Sequence, residues 1–182
     1  MKRFKIIILL LAVAFMFGAC KKDKCYWENK PDATTGASSM YFLKKFMVKG
    51  KELTALLRNP WGWAPTTVFA LTTVRCDGTP NIAIIIPMSI DDKTLLFINV
   101  TSTTKKNILA TKYARAMLRV VNPKAKSKMN PNGVSGTRML IKLVEDEKNR
   151  KEHYEKYKKL RKKVQPLKDC MFMEILEIYP LG

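Results

Sequence analysis

Three apolar runs joined by tight turns limit the folds open to this 182-residue chain. The runs "TTVFALTTV" (66–74), "NIAIIIPMSI" (81–90) and "LLFINV" (95–100) are rich in β-branched and aromatic residues, which favour strands. Pro87 interrupts the second of them. Between them lie "CDGT" (76–79) and "DDKT" (91–94), which are typical of hairpin turns. Successive hairpins exclude a doubly wound parallel sheet, because parallel neighbours need long crossover connections.

Helical and strand patterns alternate through the rest of the chain. We predict helices near 50–58, over "TKKNILATKY" (104–113) and over 147–164, and strands at 114–122, 137–146 and 170–179. The helix at 147–164 is highly charged with a thin apolar stripe, so we expect it to lie across the surface. Six strands, several of them apolar on both faces, indicate a mainly β fold: a small six-stranded antiparallel barrel with flanking helices.

The N-terminus has the pattern of an export signal. A basic start precedes twelve apolar residues at 6–17, which is shorter than the roughly 20 residues of a membrane-spanning helix and suits a signal-peptide core. "FGAC" (17–20) then resembles the bacterial lipoprotein signal, in which small residues precede a cysteine that is lipidated. An ordinary secretory signal, cut nearby and leaving Cys20 unmodified, is the alternative.

This pattern predicts three regions: a lipoprotein signal peptide at 1–19, a flexible tether at 20–40 and a folded domain at 41–182. It also predicts lipidation at Cys20. The protein would then be exported to the cell envelope and anchored to a membrane, with its domain in the periplasm or on the outer surface.

The charge balance is strongly basic. The formal net charge is +19, and the leader contributes three of the positive charges, which leaves +16 on the remainder. Such a balance suits nucleic acid, but an exported protein rarely meets it. We therefore expect attraction to anionic membrane surfaces or acidic ligands and no specific nucleic-acid partner.

Cysteine and histidine usage restricts the possible chemistry. Beyond Cys20 the chain has Cys25, Cys76 and Cys170, an odd number at long spacings, which is neither a disulfide framework nor a zinc site. One disulfide remains open. His153 is the only histidine, so a His-based triad or a multi-histidine metal centre is not expected.

The segment "NVTSTTKKNIL" (99–109) follows an apolar strand with four hydroxyl side chains and two lysines. A helix beginning here would offer free backbone N–H groups and a positive dipole end to a phosphate. The alternative is that Thr103 or Thr104 only caps the helix and that the lysines are solvated. Capping needs one hydroxyl, so the surplus favours phosphate. The Ile-rich strand 82–86 has two interpretations as well, ordinary core or an apolar support for a flat ring.

The stretch "DGTPNIAIIIPMSIDDKTLLFINVTSTTKKNILATKYARAMLRVV" resembles the FMN-binding split-barrel proteins related to pyridoxamine 5′-phosphate oxidase. A D-G-x-P-N hairpin, a strand ending in proline with a polar turn, and an apolar strand running into a Ser/Thr/Lys stretch carry the resemblance. "NPNGVSGTRMLIKLVEDE" (130–147) is also similar, and the likeness covers about residues 50–180.

This resemblance implies a split β-barrel homodimer that binds two FMN molecules at the subunit interface. The flavin ring would lie along the second strand, and the phosphate would lie on the third strand and the helix after it. Carried over by position, the cofactor-binding residues are Ile84, Ile85, Ile86, Pro87, Ser102, Thr103, Thr104, Lys105 and Lys106. Relatives often carry a basic residue where Thr103 and Thr104 stand, so the identity of the phosphate-binding lysine stays open. Trp61, Trp63 and Arg138 are candidates for the wall beside the ring.

The resemblance therefore implies a lipid-anchored FMN flavoprotein with redox activity, an oxidoreductase or an electron carrier acting on a small molecule. No side chain has the pattern of an indispensable catalytic acid or base. The alternative function is a ligand-binding or structural lipoprotein that holds no flavin and uses its basic surface to contact anionic lipids. Haem on the same scaffold is disfavoured, because His153 lies in a charged helical segment.

Overall fold

A computed structural model describes residues 47–58, 68–75, 77–121, 123–128 and 130–181. Several predicted features lie outside these residues: the signal peptide 1–19, Cys20, the tether 20–40, Cys25, Trp61, Trp63 and Cys76. No helix in the described ranges has the length and hydropathy needed to cross a membrane.

The described chain contains three α-helices and seven strands. The helices are α1 (Gly50–Arg58), α2 (Ser102–Thr111) and α3 (Glu147–Leu160). The strands are β1 (Val68–Val74), β2 (Pro80–Ile84), β3 (Met88–Ser89), β4 (Thr94–Ile98), β5 (Tyr113–Val121), β6 (Val134–Leu143) and β7 (Cys170–Tyr179). Two short 3₁₀ turns lie at Pro123–Ala125 and Leu167–Asp169.

All seven strands form one antiparallel sheet in the order β2-β1-β5-β6-β7-β4-β3. The predicted mainly β, antiparallel fold with flanking helices is confirmed. The predicted interruption of the strand over 81–90 at Pro87 is present, but the two sides form separate strands, β2 and β3, rather than one. Proline has no backbone N–H and fixes φ, so it interrupts a ladder.

The sheet is curled into a barrel that is split between β2 and β3. These strands are the two edges of the sheet, yet only residues 85–87 connect them. Four Cα steps span at most about 14 Å, whereas the edges of a flat seven-stranded sheet would lie about 29 Å apart at the usual strand spacing. The short link therefore requires the two edges to approach each other.

The core consists of two apolar clusters. The larger fills the curled sheet with side chains such as Phe69, Phe97 and Leu118, and α1 covers it with Leu53 and Leu57. The smaller lies under α3, where Tyr157 contacts a group formed by Met88, Ile90, Leu96, Cys170 and Phe172. Tyr157 is the buried residue of α3, so the predicted surface position of this helix is confirmed.

Some boundaries differ from the sequence-based ones for identifiable reasons. β6 begins at Val134, three residues before the prediction, because residues 134–136 pair with Arg119–Val121 of β5. α2 begins at Ser102 and ends where Lys112 adopts a left-handed conformation, with φ 64°. α3 ends at Leu160 because Arg161 is extended.

Candidate functional site

The N-terminus of α2 is built where β4 leaves the sheet. Asn99 turns the chain with φ 54°, a left-handed conformation that asparagine tolerates better than most residues. The first intrahelical bond runs from the Lys105 amide to the Thr101 carbonyl, at 2.8 Å. The amides of the preceding turn have no intrahelical acceptor, and the turn contains no acidic residue. This end of the helix therefore favours an anion.

The hydroxyl groups at this corner divide between the surface and the interior. Ser102 is exposed and Thr103 half-buried, whereas Thr104 is only 1% exposed. Thr104 Oγ1 accepts hydrogen bonds from Asn81 Nδ2 at 3.1 Å and from Thr101 Oγ1 at 3.0 Å. The Thr104 hydroxyl thus attaches α2 to β2, whereas Thr101 and Ser102 are exposed and Thr103 is half-buried.

A polar network extends this attachment below the helix. Asn107 Nδ2 donates to Thr73 Oγ1 at 3.0 Å, and Asn81 Nδ2 donates to the same oxygen at 3.2 Å. Among the buried residues of α2, only Ile108 is apolar. The position of α2 on β1 and β2 therefore depends on directional hydrogen bonds, which sequence analysis did not identify because its residues are dispersed along the chain.

Lys105 lines a cavity of about 400 Å³ between α2, the end of β6 and the start of β7. Lys112, Arg150 and Lys168 line it as well, together with the carboxylates Glu145 and Asp169. Lys112 Nζ lies 2.7 Å from Glu145 Oε1, so this pair is largely neutralised. The remaining groups give the cavity an excess of positive charge. Sequence analysis missed Arg150 and Lys168, which come from distant elements and belong to no motif.

The two candidate lysines are placed differently. Lys105 lines the cationic cavity, whereas the exposed Lys106 is not among its lining residues. Successive positions on a helix point about 100° apart, so both lysines cannot face the same ligand equally well.

Cys170 also lines the cationic cavity, but it is buried. The pKa of its thiol is raised to about 11, mainly by burial. Asp169 adds a smaller rise, and Arg150 opposes it. The neutral thiol predominates at physiological pH, and only the thiolate is a good nucleophile. Cys170 therefore has the environment of a structural residue.

The ring-side residues of β2 line a second, more apolar groove of about 930 Å³. Ile84 and Ile86 face it, and Ile98 and Leu160 are among the other lining residues. Ile85 also lines the groove, but its side chain packs against the larger core and its amide donates to the Phe69 carbonyl at 3.2 Å. Pro87 is buried.

The edge position of β2 gives this groove polar groups as well. β2 pairs with β1 on one side only, and alternate backbone groups of an edge strand point away from the sheet. Arg161, Lys162 and Lys163 line the same groove. The arrangement offers apolar side chains, backbone hydrogen-bonding groups and positive charge to a single ligand.

Asn99 lines both the cationic cavity and the apolar groove. The structure thus brings Ile84, Ile86 and Lys105 to adjoining cavities, with the turn before α2 between them. An elongated ligand with a flat apolar part and an anionic tail is the chemical class that this pair of cavities suits.

Arg138 is not brought to either cavity. It lies on the outer face of β6, where its Nε donates to the Pro180 carbonyl at 2.8 Å. It lines a separate cavity of about 250 Å³ with Thr72, Met117 and Tyr179. Ile84 pairs with Ala70 on β1, Ala70 pairs with Met117 on β5, and Met117 pairs with Arg138 on β6. Arg138 is therefore three strands away from Ile84.

His153 faces inward from α3 rather than toward solvent. Its ring lies 5.8 Å from that of Phe172, and its Nδ1 lies 3.8 Å from Asp91 Oδ2. Burial lowers the pKa of His153, with a further lowering from Lys156, and outweighs the opposing effect of Asp91. Its ring is therefore mainly neutral at pH 7. Among the described residues no group of His, Cys, Asp and Glu has a geometry that would hold a metal ion.

No protein-family model matches this chain, and no curated protein matches it. Solved structures that are similar to it include the three described next. An FMN-binding protein from Syntrophomonas wolfei is 22% identical, covers 78% of this chain and 92% of its own, and has a TM-score of 0.46. A Listeria innocua protein, provisionally described as a pyridoxamine 5′-phosphate oxidase, is 18% identical, with coverages of 63% and 87% and a TM-score of 0.41.

The third structure is an FAD-binding protein from Mesorhizobium loti. It is 11% identical, covers 69% of this chain and 89% of its own, and has a TM-score of 0.43. Because the identities and TM-scores are this low, these likenesses decide neither the ligand nor the activity of this chain.

Proposed function

We propose that this protein binds FMN in the two adjoining cavities and acts as a redox flavoprotein. The observation that carries the proposal is the meeting of an apolar groove and a cationic cavity at Asn99. FMN combines a flat, largely apolar ring with a dianionic phosphate, so its two ends match the two environments. The motifs of residues 77–121 resemble the FMN-binding split-barrel proteins and support the same ligand.

The ring would lie in the groove beside β2. Ile84 and Ile86 offer exposed apolar side chains, and the free edge of β2 offers backbone donors and acceptors for the polar rim of the ring. The buried Pro87 ends this edge, and the chain there turns toward β3.

The phosphate would lie at the N-terminus of α2. Unpaired first-turn amides and the helix dipole favour a dianion there. Lys105 adds a charge that neighbouring Arg150 and Lys168 reinforce. Ser102 and Thr103 line neither cavity and would add hydroxyl donors from the first turn of the helix. Thr104 contributes through its backbone amide and through holding the helix in place, since its hydroxyl is used internally.

We further propose that the protein is a homodimer. Ile82 and Ile84 on β2 are 69% and 72% exposed, and Met117 on β5 is exposed on the same face. The register supports one continuous patch, because Ala70 pairs with both Ile84 and Met117. Exposed apolar side chains that adjoin one another across strands favour burial against a partner.

Bound FMN would supply hydride or electron transfer, and this chain would supply binding, orientation and charge. Positive groups around both cavities favour anionic forms of the cofactor and anionic small molecules near it. We propose an oxidoreductase or an electron carrier, and the direction of the reaction depends on the partner molecule.

Replacing Lys105 with alanine is expected to weaken FMN binding at least tenfold, about 1.4 kcal/mol. Lys106→Ala is the matched control, since this lysine is adjacent and exposed but does not line the cationic cavity. It should change the affinity by less than about threefold. Fluorescence titration with FMN and with riboflavin would measure both.

Riboflavin separates the phosphate assignment from flavin binding itself. Because it lacks the phosphate, its affinity should be the same for the native protein and Lys105→Ala. Equal losses for FMN and riboflavin would contradict the phosphate site. Native mass spectrometry that detects no flavin on protein purified from its own cells, together with no binding in titration, would contradict the flavin proposal and favour a non-flavin lipoprotein.

We also propose that the protein is exported and anchored through lipidated Cys20. The apolar leader and the small residues before this cysteine support the anchor. Cys20→Ser should move the protein from the membrane fraction to the soluble fraction of the envelope, and mass spectrometry should show loss of the acyl chains. An unchanged mass at the N-terminal peptide of the native protein would contradict lipidation.

A further inference from the structure

The second half of α3 and the chain after it form a surface of one charge. Residues 156–168, called here the basic segment, contain seven lysines and arginines and no acidic residue. They are Lys156, Lys158, Lys159, Arg161, Lys162, Lys163 and Lys168. The first half of the helix differs, because Glu147, Glu152 and Glu155 alternate there with basic residues.

Ion pairing follows this division only in part, because Lys156 pairs with Asp91 and Lys158 pairs with Glu155. Lys151 pairs with Glu147 at 2.7 Å along the first turns of α3. Lys159, Lys162 and Lys163 are exposed and form no ion pair with any residue that the structure describes. Like charges that are concentrated without counter-charges repel one another, and a polyanionic partner relieves that repulsion.

Apolar side chains lie beside these lysines. Leu160 is 38% exposed and Ile86 is 48% exposed, and both line the same groove as Lys162 and Lys163. Arg161 is held to the fold, since its Nη2 donates to the Arg58 carbonyl at 3.1 Å. The end of α3 is therefore a fixed platform rather than a loose tail.

We propose that the basic segment docks this domain onto a bilayer surface that contains anionic phospholipids. Lysines would contact the headgroup phosphates, and Leu160 with the rim of the groove would enter the headgroup layer. The proposal goes beyond flavin binding and does not depend on it. The exposed apolar side chains favour lipid over nucleic acid, because a phosphate backbone alone gives them nothing to pack against.

The test compares three full-length proteins that all carry Cys20→Ser, so that no acyl chain contributes. One has no other change, one has Lys159→Gln, Lys162→Gln and Lys163→Gln, and the control has Lys124→Gln, Lys126→Gln and Lys128→Gln. The control lysines are exposed on the loop before β6. Both triple variants lose the same charge, and the apolar leader is common to all three.

Sedimentation with phosphatidylcholine vesicles containing 30% phosphatidylglycerol would measure partitioning in about 0.1 M salt. The basic-segment variant should bind on the order of a hundredfold more weakly, because each lysine near an anionic surface contributes about a fivefold factor. The control should lose less than about fivefold, and raising the salt to about 0.5 M should remove most of the difference.

Three results would overturn the proposal. Equal losses in the two triple variants would show that net charge alone drives binding. An unchanged affinity of the basic-segment variant would exclude this surface. Tighter binding of a single- or double-stranded oligonucleotide than of the vesicles, lost in the same variant, would assign the surface to nucleic acid instead.

Discussion

Replacing Gly136 with alanine is expected to lower the free energy of unfolding by about 4 kcal/mol or more, or to prevent folding. A Cβ at this position would overlap the carbonyl oxygen of Leu118 on β5 and lie 2.9 Å from Leu181 Cδ1. Gly136 also has φ 152° and accepts a hydrogen bond from the Val48 amide at 3.1 Å. The backbone of a central strand would have to move, which is why the effect is large.

Replacing Gly78 with alanine measures the cost of backbone strain without the steric overlap that occurs at Gly136. Gly78 has φ 87° in the turn between β1 and β2, and an added Cβ would meet nothing within 4 Å. Its replacement should cost about 1–2 kcal/mol from conformational strain alone. Urea unfolding followed by circular dichroism would measure both variants. Equal destabilisation of the two would contradict the packing argument at Gly136.

Replacing Asn107 with leucine is expected to lower the free energy of unfolding by about 2–3 kcal/mol. The change keeps the side-chain volume but removes the donor to Thr73 Oγ1, and it inserts an apolar group into the network that Asn81 and Thr104 share. Because α2 has little buried apolar surface, this network supplies much of its attachment to the sheet.

Leu109→Gln is the control for Asn107. Leu109 lies on the same helix but is exposed, so its replacement should change the unfolding free energy by less than about 0.5 kcal/mol. Hydrogen exchange adds a test of mechanism. Amides of α2 should lose protection in Asn107→Leu more than amides of β6 do, and a uniform loss over both elements would contradict a role specific to this helix.

Sequence patterns located most elements because the patterns are local. The largely apolar run at 170–179 predicts β7 with the bounds that the structure has, and the Asp-Gly turn predicts the β1–β2 hairpin. The predicted strand boundaries were wrong where pairing with a neighbouring strand sets the end of the strand. Residues 134–136 have the composition of a loop but belong to β6, because β5 is long enough to pair with them.

The candidate site was predictable only in part. The segment 99–109 and the Ile-rich strand mark its two sides in the sequence, and Lys105 and Ile84 line cavities that meet at Asn99. The hydroxyl residues 101–104 line neither cavity. The direction of each side chain was not predictable. Thr104 is buried against Asn81, and Arg150 joins Lys105 from a helix 45 positions later in the chain.

The antiparallel character of the sheet and the interruption at Pro87 follow from local sequence, because turn chemistry and the missing proline amide act within short segments. The strongly basic charge follows from composition alone. The folded arrangement of the chain sets which lysine faces a cavity, which threonine is used internally and which edges of the sheet approach each other. These depend on distances between residues far apart in the chain, which the curled sheet sets through its strand order and its three-residue link.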